Sequence, residues 1–205
     1  MPSLEIEQQY QGLVGGVDEA GRGPWAGPVV AAAAVFLDPK ALPSSVAKGI
    51  QDSKKLTKAK RDHFYQELTT LTAFSYGIGM ASVEEIDQLN ILKATFLAME
   101  RAVKSLSPTP PTLLIDGKYI PSFQGIQTVP VIKGDNISLS IAAASILAKV
   151  TRDTIMESLA REHPAYGWES NAGYGTQQHQ EALKVHGITS HHRKSFAPIR
   201  RVQWG

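Results

Sequence analysis

The hydrophobic pattern divides the chain into short apolar runs and longer segments of helical spacing. Residues 13–17 form a short apolar strand candidate, and 28–37, rich in Val and Ala, reads as a strand buried on both faces. Residues 39–51, with Pro43, Ser44, Ser45 and Gly49, read as a loop. Helical spacing covers 57–71 with Thr57 as N-cap, and 74–80 suits a third strand. Ser82 and Glu85 form a capping-box pattern ahead of a long helical stretch that ends near Leu106; its Ile91, Leu92, Thr95, Phe96 and Met99 follow helical spacing. Pro108, Pro110 and Pro111 stop it. Residues 112–115 and 128–132 are the fourth and fifth strand candidates. Residues 138–159 are helical, with a centre of small residues at 141–148 that permits close packing against a sheet. Residues 163–174 read as a loop, 177–186 as a last helix ended by Gly187, and 191–201 as a basic tail. The order predicts an α/β fold with a mixed sheet, its first three strands forming an antiparallel set.

Composition narrows the class. Of 205 residues 42% are apolar and 20% charged, which supports a packed core rather than disorder. The 21 basic and 19 acidic residues leave a net +2, too small a surplus to identify a nucleic-acid binder unless the charges cluster. The absence of cysteine excludes disulfides, thiolate metal sites and cysteine nucleophiles. The first eleven residues carry Glu5 and Glu7 and have no apolar segment of the secretory type, and the longest apolar run, 29–37, is too short to span a membrane. The expectation is a cytoplasmic, monomeric protein of one domain, 1–205, in which residues from 163 onward form a C-terminal, substrate-contacting part.

The acidic residues carry the chemistry. Asp18 and Glu19 directly follow the strand 13–17, Asp116 directly follows 113–115, and Asp135 sits just before the Ala-rich helix. Acidic groups at such element ends can converge at one edge of a sheet, where α/β folds commonly place their sites. Clustered carboxylates repel and need cations between them, and hard oxygen donors without cysteine point to Mg²⁺ or Mn²⁺. Two ions about 3.5–4 Å apart would suit an in-line phosphodiester displacement, one activating the attacking water and one stabilising the leaving 3′ oxygen, with Asp18 shared between them. Each residue taken singly has a plainer reading: a turn at Asp116-Gly117, a helix cap at Asp135, a surface pair at Asp18-Glu19.

Basic and glycine-rich segments accompany them. In Gly21-Arg22-Gly23-Pro24 the glycines let backbone amides approach a ligand and Arg22 can pair with phosphate; the plainer reading is a tight turn between strands. The spacing of Gly21, Gly23 and Gly27 is one residue too long for a dinucleotide fingerprint. Asp52-Ser53-Lys54-Lys55-Leu56 places a hydroxyl and two lysines at a helix start, suited to a duplex backbone or simply to solvent. Lys149 and Arg152 share a helix face. The tail residues His191, His192, Arg193, Lys194, Arg200 and Arg201 suit phosphate contacts or plain exposure better than metal binding. Tyr174, between Gly173 and Gly175, is an exposed ring that can stack on a sugar or base, or else a cover over a loop.

These segments together resemble ribonuclease HII of the bacterial type. The match begins at 16–24 (GVDEAGRGP) and 26–29, and continues through 52–56, 84–87, 90–92 and 97–99. It then takes in Asp116-Gly117, Lys133-Gly134-Asp135, the long signature 142–150 with Arg152-Asp153, Gly173-Tyr174-Gly175-Thr176, and His192-Arg193-Lys194-Ser195-Phe196, in order along nearly the whole chain. The resemblance implies a ribonuclease-H-like α/β fold with a mixed five-stranded sheet and a C-terminal helical part. It implies metal ligands, and hence catalytic residues, at Asp18, Glu19, Asp116 and Asp135. It implies that the backbone of Gly21, Arg22 and Gly23 reads the ribose 2′-hydroxyl, with Tyr174 at the RNA–DNA junction and Ser53, Lys54, Lys55, Lys149, Arg152, Arg193 and Ser195 on the substrate. The implied activity is hydrolysis of the RNA strand of RNA–DNA hybrids, and cleavage 5′ of single ribonucleotides in duplex DNA to 3′-hydroxyl and 5′-phosphate ends. That activity points to ribonucleotide excision repair and DNA replication. Trp25 departs from the pattern, standing where a smaller aliphatic residue is common. The alternatives are a ribonuclease HIII-like nuclease, whose extra N-terminal domain this sequence lacks, and a non-catalytic duplex-binding module.

Overall fold

The computed structural model describes residues 1–203. The strands are β1 (Val14–Ala20), β2 (Val29–Phe36), β3 (Phe74–Ala81), β4 (Thr112–Asp116) and β5 (Gln127–Val131). The helices are α1 (Ser44–Gly49), α2 (Lys58–Thr70), α3 (Val83–Leu89), α4 (Ile91–Lys104), α5 (Leu139–Glu162), α6 (Trp168–Asn171), α7 (Gln177–His186) and α8 (Ala197–Gln203). The sheet runs in the order β3-β2-β1-β4-β5. β1, β2 and β3 pair antiparallel, as expected, whereas β4 and β5 join parallel to β1.

Helices cover both faces of the sheet. α4 packs its Ala94, Ala98, Met99 and Ala102 against Val17, Ala31, Ala33, Val35, Leu113 and Ile115 on one face. On the other, the small residues of α5 let it lie directly on β1 and β2, with α1 and α2 completing that cluster. The approach is close enough that a β-carbon at Gly16 would collide with the backbone of Ser140 and Ile141, so only glycine fits there. The second half of α5 carries a separate apolar cluster, in which Met156 and Ala160 meet Tyr166, Trp168, Leu183 and Ile199.

Several expected boundaries shift. β1 continues through Asp18 and Glu19 to Ala20, so the acidic pair lies inside the strand rather than beyond it. The stretch expected as one helix from Ser82 to Leu106 is two, because Asn90 adopts a left-handed φ of 71° and its side chain caps α4 through Leu92 and Lys93. The capping box itself is present, Ser82 and Glu85 each accepting the other's backbone N–H. The segment 39–51, expected as loop, contains α1, and 163–174 contains α6.

Candidate active site

The parallel register of β1 and β4 sets the site. Val17 pairs with Ile115 and both face the α4 cluster. Side chains alternate along a strand, so Asp18 and Asp116, one residue further, face α5 on neighbouring strands. Past β5, a single 3₁₀ turn, Gly134–Asn136, brings Asp135 back to the N-terminal end of α5. Hydrogen bonds fix one oxygen of each carboxylate: Glu19 N–H donates to Asp18 Oδ1 at 2.7 Å, Gly134 N–H to Asp116 Oδ1 at 2.7 Å, and Asn136 Nδ2 to Asp135 Oδ1 at 2.7 Å. Asn136 is held in turn by Lys55.

Burial and like charge act in one direction here. Asp18 and Asp135 are each only 6% exposed. Burial, followed by the charges of Glu19, Asp116 and Asp135, raises the Asp18 carboxyl well above the usual carboxylate range. Glu19 is raised by burial and Asp116, against the opposing pull of Arg22, which it pairs with at 3.2 Å. Asp135 is raised by burial, Asp52 and Asp116. Lys54 is raised too: burial works against its charge, but attraction to Asp18, Asp52, Asp135 and Asp116 outweighs that. A group of carboxylates that cannot comfortably ionise together, each with an oxygen free of protein donors among the described residues, fits a hard divalent cation. Asp18, Glu19, Asp116 and Asp135 are the residues that could hold one.

Beside the carboxylates lies a depression of about 260 Å³ lined by Asp18, Glu19, the 21–23 turn, Lys54, Lys149 and Tyr174. Gly21 has φ +95°, and a β-carbon there would strike the Arg152 guanidinium. The turn is anchored by its carbonyls: Arg193 donates to Gly21 O at 2.6 Å and to Arg22 O at 3.0 Å. The N–H groups of Arg22 and Gly23 have no protein acceptor among the described residues. Tyr174, 49% exposed, places its ring against Gly23, where a β-carbon would sit 3.4 Å from Tyr174 Cε1.

The basic residues divide into two groups. Lys54 and Lys55 are exposed, and Lys149 is half-buried and paired with Asp153 at 2.7 Å. Arg152 and Arg193, expected on phosphates, are 1% and 0% exposed. Arg152 donates to the carbonyls of Pro28, Ala172 and Ala26, and Arg193 to those of Gly27, Arg22, Gly21 and Pro28. With their donors taken inside the protein, neither reaches a phosphate, and the expectation is corrected to a scaffold role for both. The Ser53 hydroxyl is buried against Ser145 at 2.7 Å, at the floor of the depression. Ser195 is exposed away from that depression, its N–H and hydroxyl both donating to Asp87 Oδ1.

His192 is fully buried and hydrogen-bonded to His179 at 3.0 Å, against the expectation of exposure or phosphate contact. His191 stands with Glu162 and His163 in a group whose ligand atoms lie within 4.8 Å of one another. Trp25 lays its indole over Gly175, and its backbone N–H donates to Gly173 O at 2.8 Å. The sequence pattern assigns no role to Asp52, Asn136, Ser145 or His179. Asp52 was legible as a further acid beside Lys54, whereas the other three join the site only through tertiary contacts.

Residues 15–202 match the family model described as Ribonuclease HII. The chain is 52% identical over 204 residues to Ribonuclease HII of Jannaschia sp. (strain CCS1), covering 100% of this chain and 99% of that relative. It is 56% identical over 201 residues to Ribonuclease HII of Ruegeria pomeroyi, covering 97% of this chain and 83% of that one. Among solved structures it is similar to the ribonuclease H2 from Pyrococcus horikoshii OT3, with a TM-score of 0.75, 28% identity, and coverage of 94% of this chain and 98% of that one.

Proposed function

The chain belongs to the ribonuclease HII family, nucleases that hydrolyse the RNA strand of RNA–DNA hybrids, and from that premise we propose that it also cuts 5′ of single ribonucleotides embedded in duplex DNA. The products are a 3′-hydroxyl and a 5′-phosphate, and the role is removal of ribonucleotides from DNA. One juxtaposition supports this reading: Asp18 and Glu19 line the same depression as the 21–23 turn and Tyr174. Chemistry on a phosphodiester and a surface able to tell ribose from deoxyribose are thereby adjacent.

Mg²⁺ or Mn²⁺ held by Asp18, Glu19, Asp116 and Asp135 would supply Lewis-acid chemistry, with two ions serving the attacking water and the leaving 3′ oxygen. The protein's own groups select and place the substrate. Arg193 draws the carbonyls of Gly21 and Arg22 inward, which leaves the N–H groups of the turn to donate to the ribose 2′-hydroxyl, the group that separates RNA from DNA. The Tyr174 ring stacks on the sugar at the junction. Lys54, Lys55 and Lys149 bind phosphate oxygens, and Lys54 also offsets part of the carboxylate charge.

The test is cleavage of a DNA duplex holding one ribonucleotide, compared with a long hybrid, in Mg²⁺, in Mn²⁺ and with chelator. The expected result is metal-dependent cutting of both substrates, with the single cut 5′ of the ribonucleotide. Cutting of the long hybrid alone would support the ribonuclease HIII-like alternative and overturn the proposal.

A further inference from the structure

Two buried histidines in the C-terminal part have their tautomers settled by their partners. The N–H of Thr189 donates to His192 Nδ1 at 2.9 Å, so that nitrogen carries a lone pair. A neutral His192 then bears its proton on Nε2, which faces His179 Nε2 at 3.0 Å, and His179 Nε2 must accept. The indole N–H of Trp168, a donor only, points at the same His179 Nε2 at 3.4 Å and requires the same assignment independently. The His179 proton therefore sits on Nδ1, 2.9 Å from the Tyr174 carbonyl, which can only accept. At the other end, Thr189 Oγ1 accepts from His191 N–H at 3.1 Å and is free to donate to His192 Nδ1 at 3.0 Å. The chain of bonds runs in one direction, from Thr189 through His192 and His179 to the backbone of Tyr174.

A second connection leaves from the next residue. Arg193 binds the carbonyls of Gly21 and Arg22, and its own N–H donates to Trp25 O at 2.8 Å. The dipeptide His192-Arg193 thus reaches both parts of the recognition surface, the Tyr174 loop through His179 and the 21–23 turn directly through the Arg193 guanidinium.

We propose that His192 and His179 are positioning residues: a neutral pair of fixed tautomers that sets where the Tyr174 ring stands relative to Gly23. The inference rests on the reading that Tyr174 touches substrate. An added proton on His179 Nε2 would face the donors of His192 and Trp168, and one on His192 Nδ1 would face those of Thr189. Burial, and after it the proximity of His179, pushes His192 down to about 3, and burial also lowers His179. The other titratable groups around the pair are His163 at the end of α5, His191 in the tail, and Tyr166, whose ring meets both histidines edge-on. Burial and the donors facing both rings thus act together against a proton on either one.

Two experiments on the full-length protein test this. Long-range ¹H–¹⁵N correlation spectra of the imidazoles should show His192 protonated at Nε2 and His179 at Nδ1, with both unchanged between about pH 8 and pH 5. The opposite tautomers, or titration of either ring in that window, would overturn the proposal. The second is a double-mutant cycle on the single-ribonucleotide substrate. His179→Phe should lower kcat/KM about tenfold, and His179→Asn, whose amide N–H can replace Nδ1–H, should recover most of it. In a Tyr174→Ala background, His179→Phe should cost almost nothing further. Losses that multiply instead would make the histidines ordinary core residues. If Tyr174→Ala itself leaves cleavage unchanged, the junction reading fails, and the tautomers alone decide this inference.

Discussion

Val17 of β1 and Ile115 of β4 are parallel-strand partners, and both are fully buried against α4. Their pairing fixes the next two side chains, Asp18 and Asp116, as neighbours on the opposite face, where α5 and Asp135 close the group. The apolar register under the site therefore decides the geometry of the acidic residues above it. Asp18→Asn and Asp116→Asn should each lower turnover by at least about a hundredfold, because on the proposed reading each removes a charged oxygen ligand from the cation site. Duplex binding, measured separately, should be largely retained, since neither carboxylate contributes to the basic surface. Asp135→Asn should cost less if Asp135 orients water rather than anchoring cations. Full activity of either of the first two variants at saturating Mg²⁺ or Mn²⁺ would remove them from the active site.

The same carboxylates should govern stability without metal. Asp18, Glu19 and Asp135 have folded-state pKa values above their ordinary ones, with burial the first cause in each. A carboxyl raised in this way favours the folded state below its ordinary pKa and loses that contribution as pH rises through the folded value. The metal-free protein should therefore melt at a lower temperature at neutral pH than in mildly acidic buffer, before general acid unfolding begins. Divalent cations should flatten that dependence, and Asp18→Asn should raise the melting temperature of the metal-free protein at neutral pH. Thermal melts across pH, with chelator and with Mg²⁺, check all three statements.

Much of this arrangement was legible in the chain. The strands and the helices α2, α5 and α7 came from apolar period and capping residues; β2 and residues 139–148 of α5 bury every side chain, and their composition shows it. The acidic set was legible because Asp18, Glu19 and Asp116 directly follow apolar runs and Asp135 stands just before the Ala-rich helix. What escaped were features set by partners distant in sequence. A basic residue reads as a phosphate ligand until its surroundings are known, and Arg152 and Arg193 turn out to hold backbone carbonyls of residues 21–28. The break at Asn90 was hidden because Asn at an apolar period's edge is compatible with helix, and only its side-chain cap of α4 favours the turn. The His179–His192 contact joins α7 to the tail, and no periodicity announces it.

The basic residues should now separate in two assays. Lys54→Ala, Lys55→Ala and Lys149→Ala should weaken binding to all duplexes alike and reduce the slope of log K against log salt by about 0.9 for each phosphate no longer neutralised. Arg193→Ala should instead leave several buried carbonyls unpaired and cost about 3 kcal/mol or more of stability. A normal melt for Arg193→Ala together with a reduced salt slope would return that residue to the phosphate-binding set.

Tyr174 offers the sharpest separation of ring from hydroxyl. Its ring is half-exposed beside Gly23, while its backbone is fixed by Asn171 O, by Thr176 N–H and by His179. A ring held over the sugar at the RNA–DNA junction contributes stacking of about 1–3 kcal/mol. Tyr174→Ala should accordingly lose most activity on a single embedded ribonucleotide. Tyr174→Phe keeps the stacking surface and removes only a hydroxyl that makes no hydrogen bond within the protein among the described residues, so it should retain much more. Neither change should shift the melting temperature appreciably, because the exposed ring contributes little to the core. Cleavage of one-ribonucleotide duplexes and long hybrids, measured side by side with melts as control, decides the matter. If Tyr174→Ala cuts both substrates at the parent rate while melting normally, Tyr174 merely covers its loop and junction recognition must reside in the 21–23 turn alone.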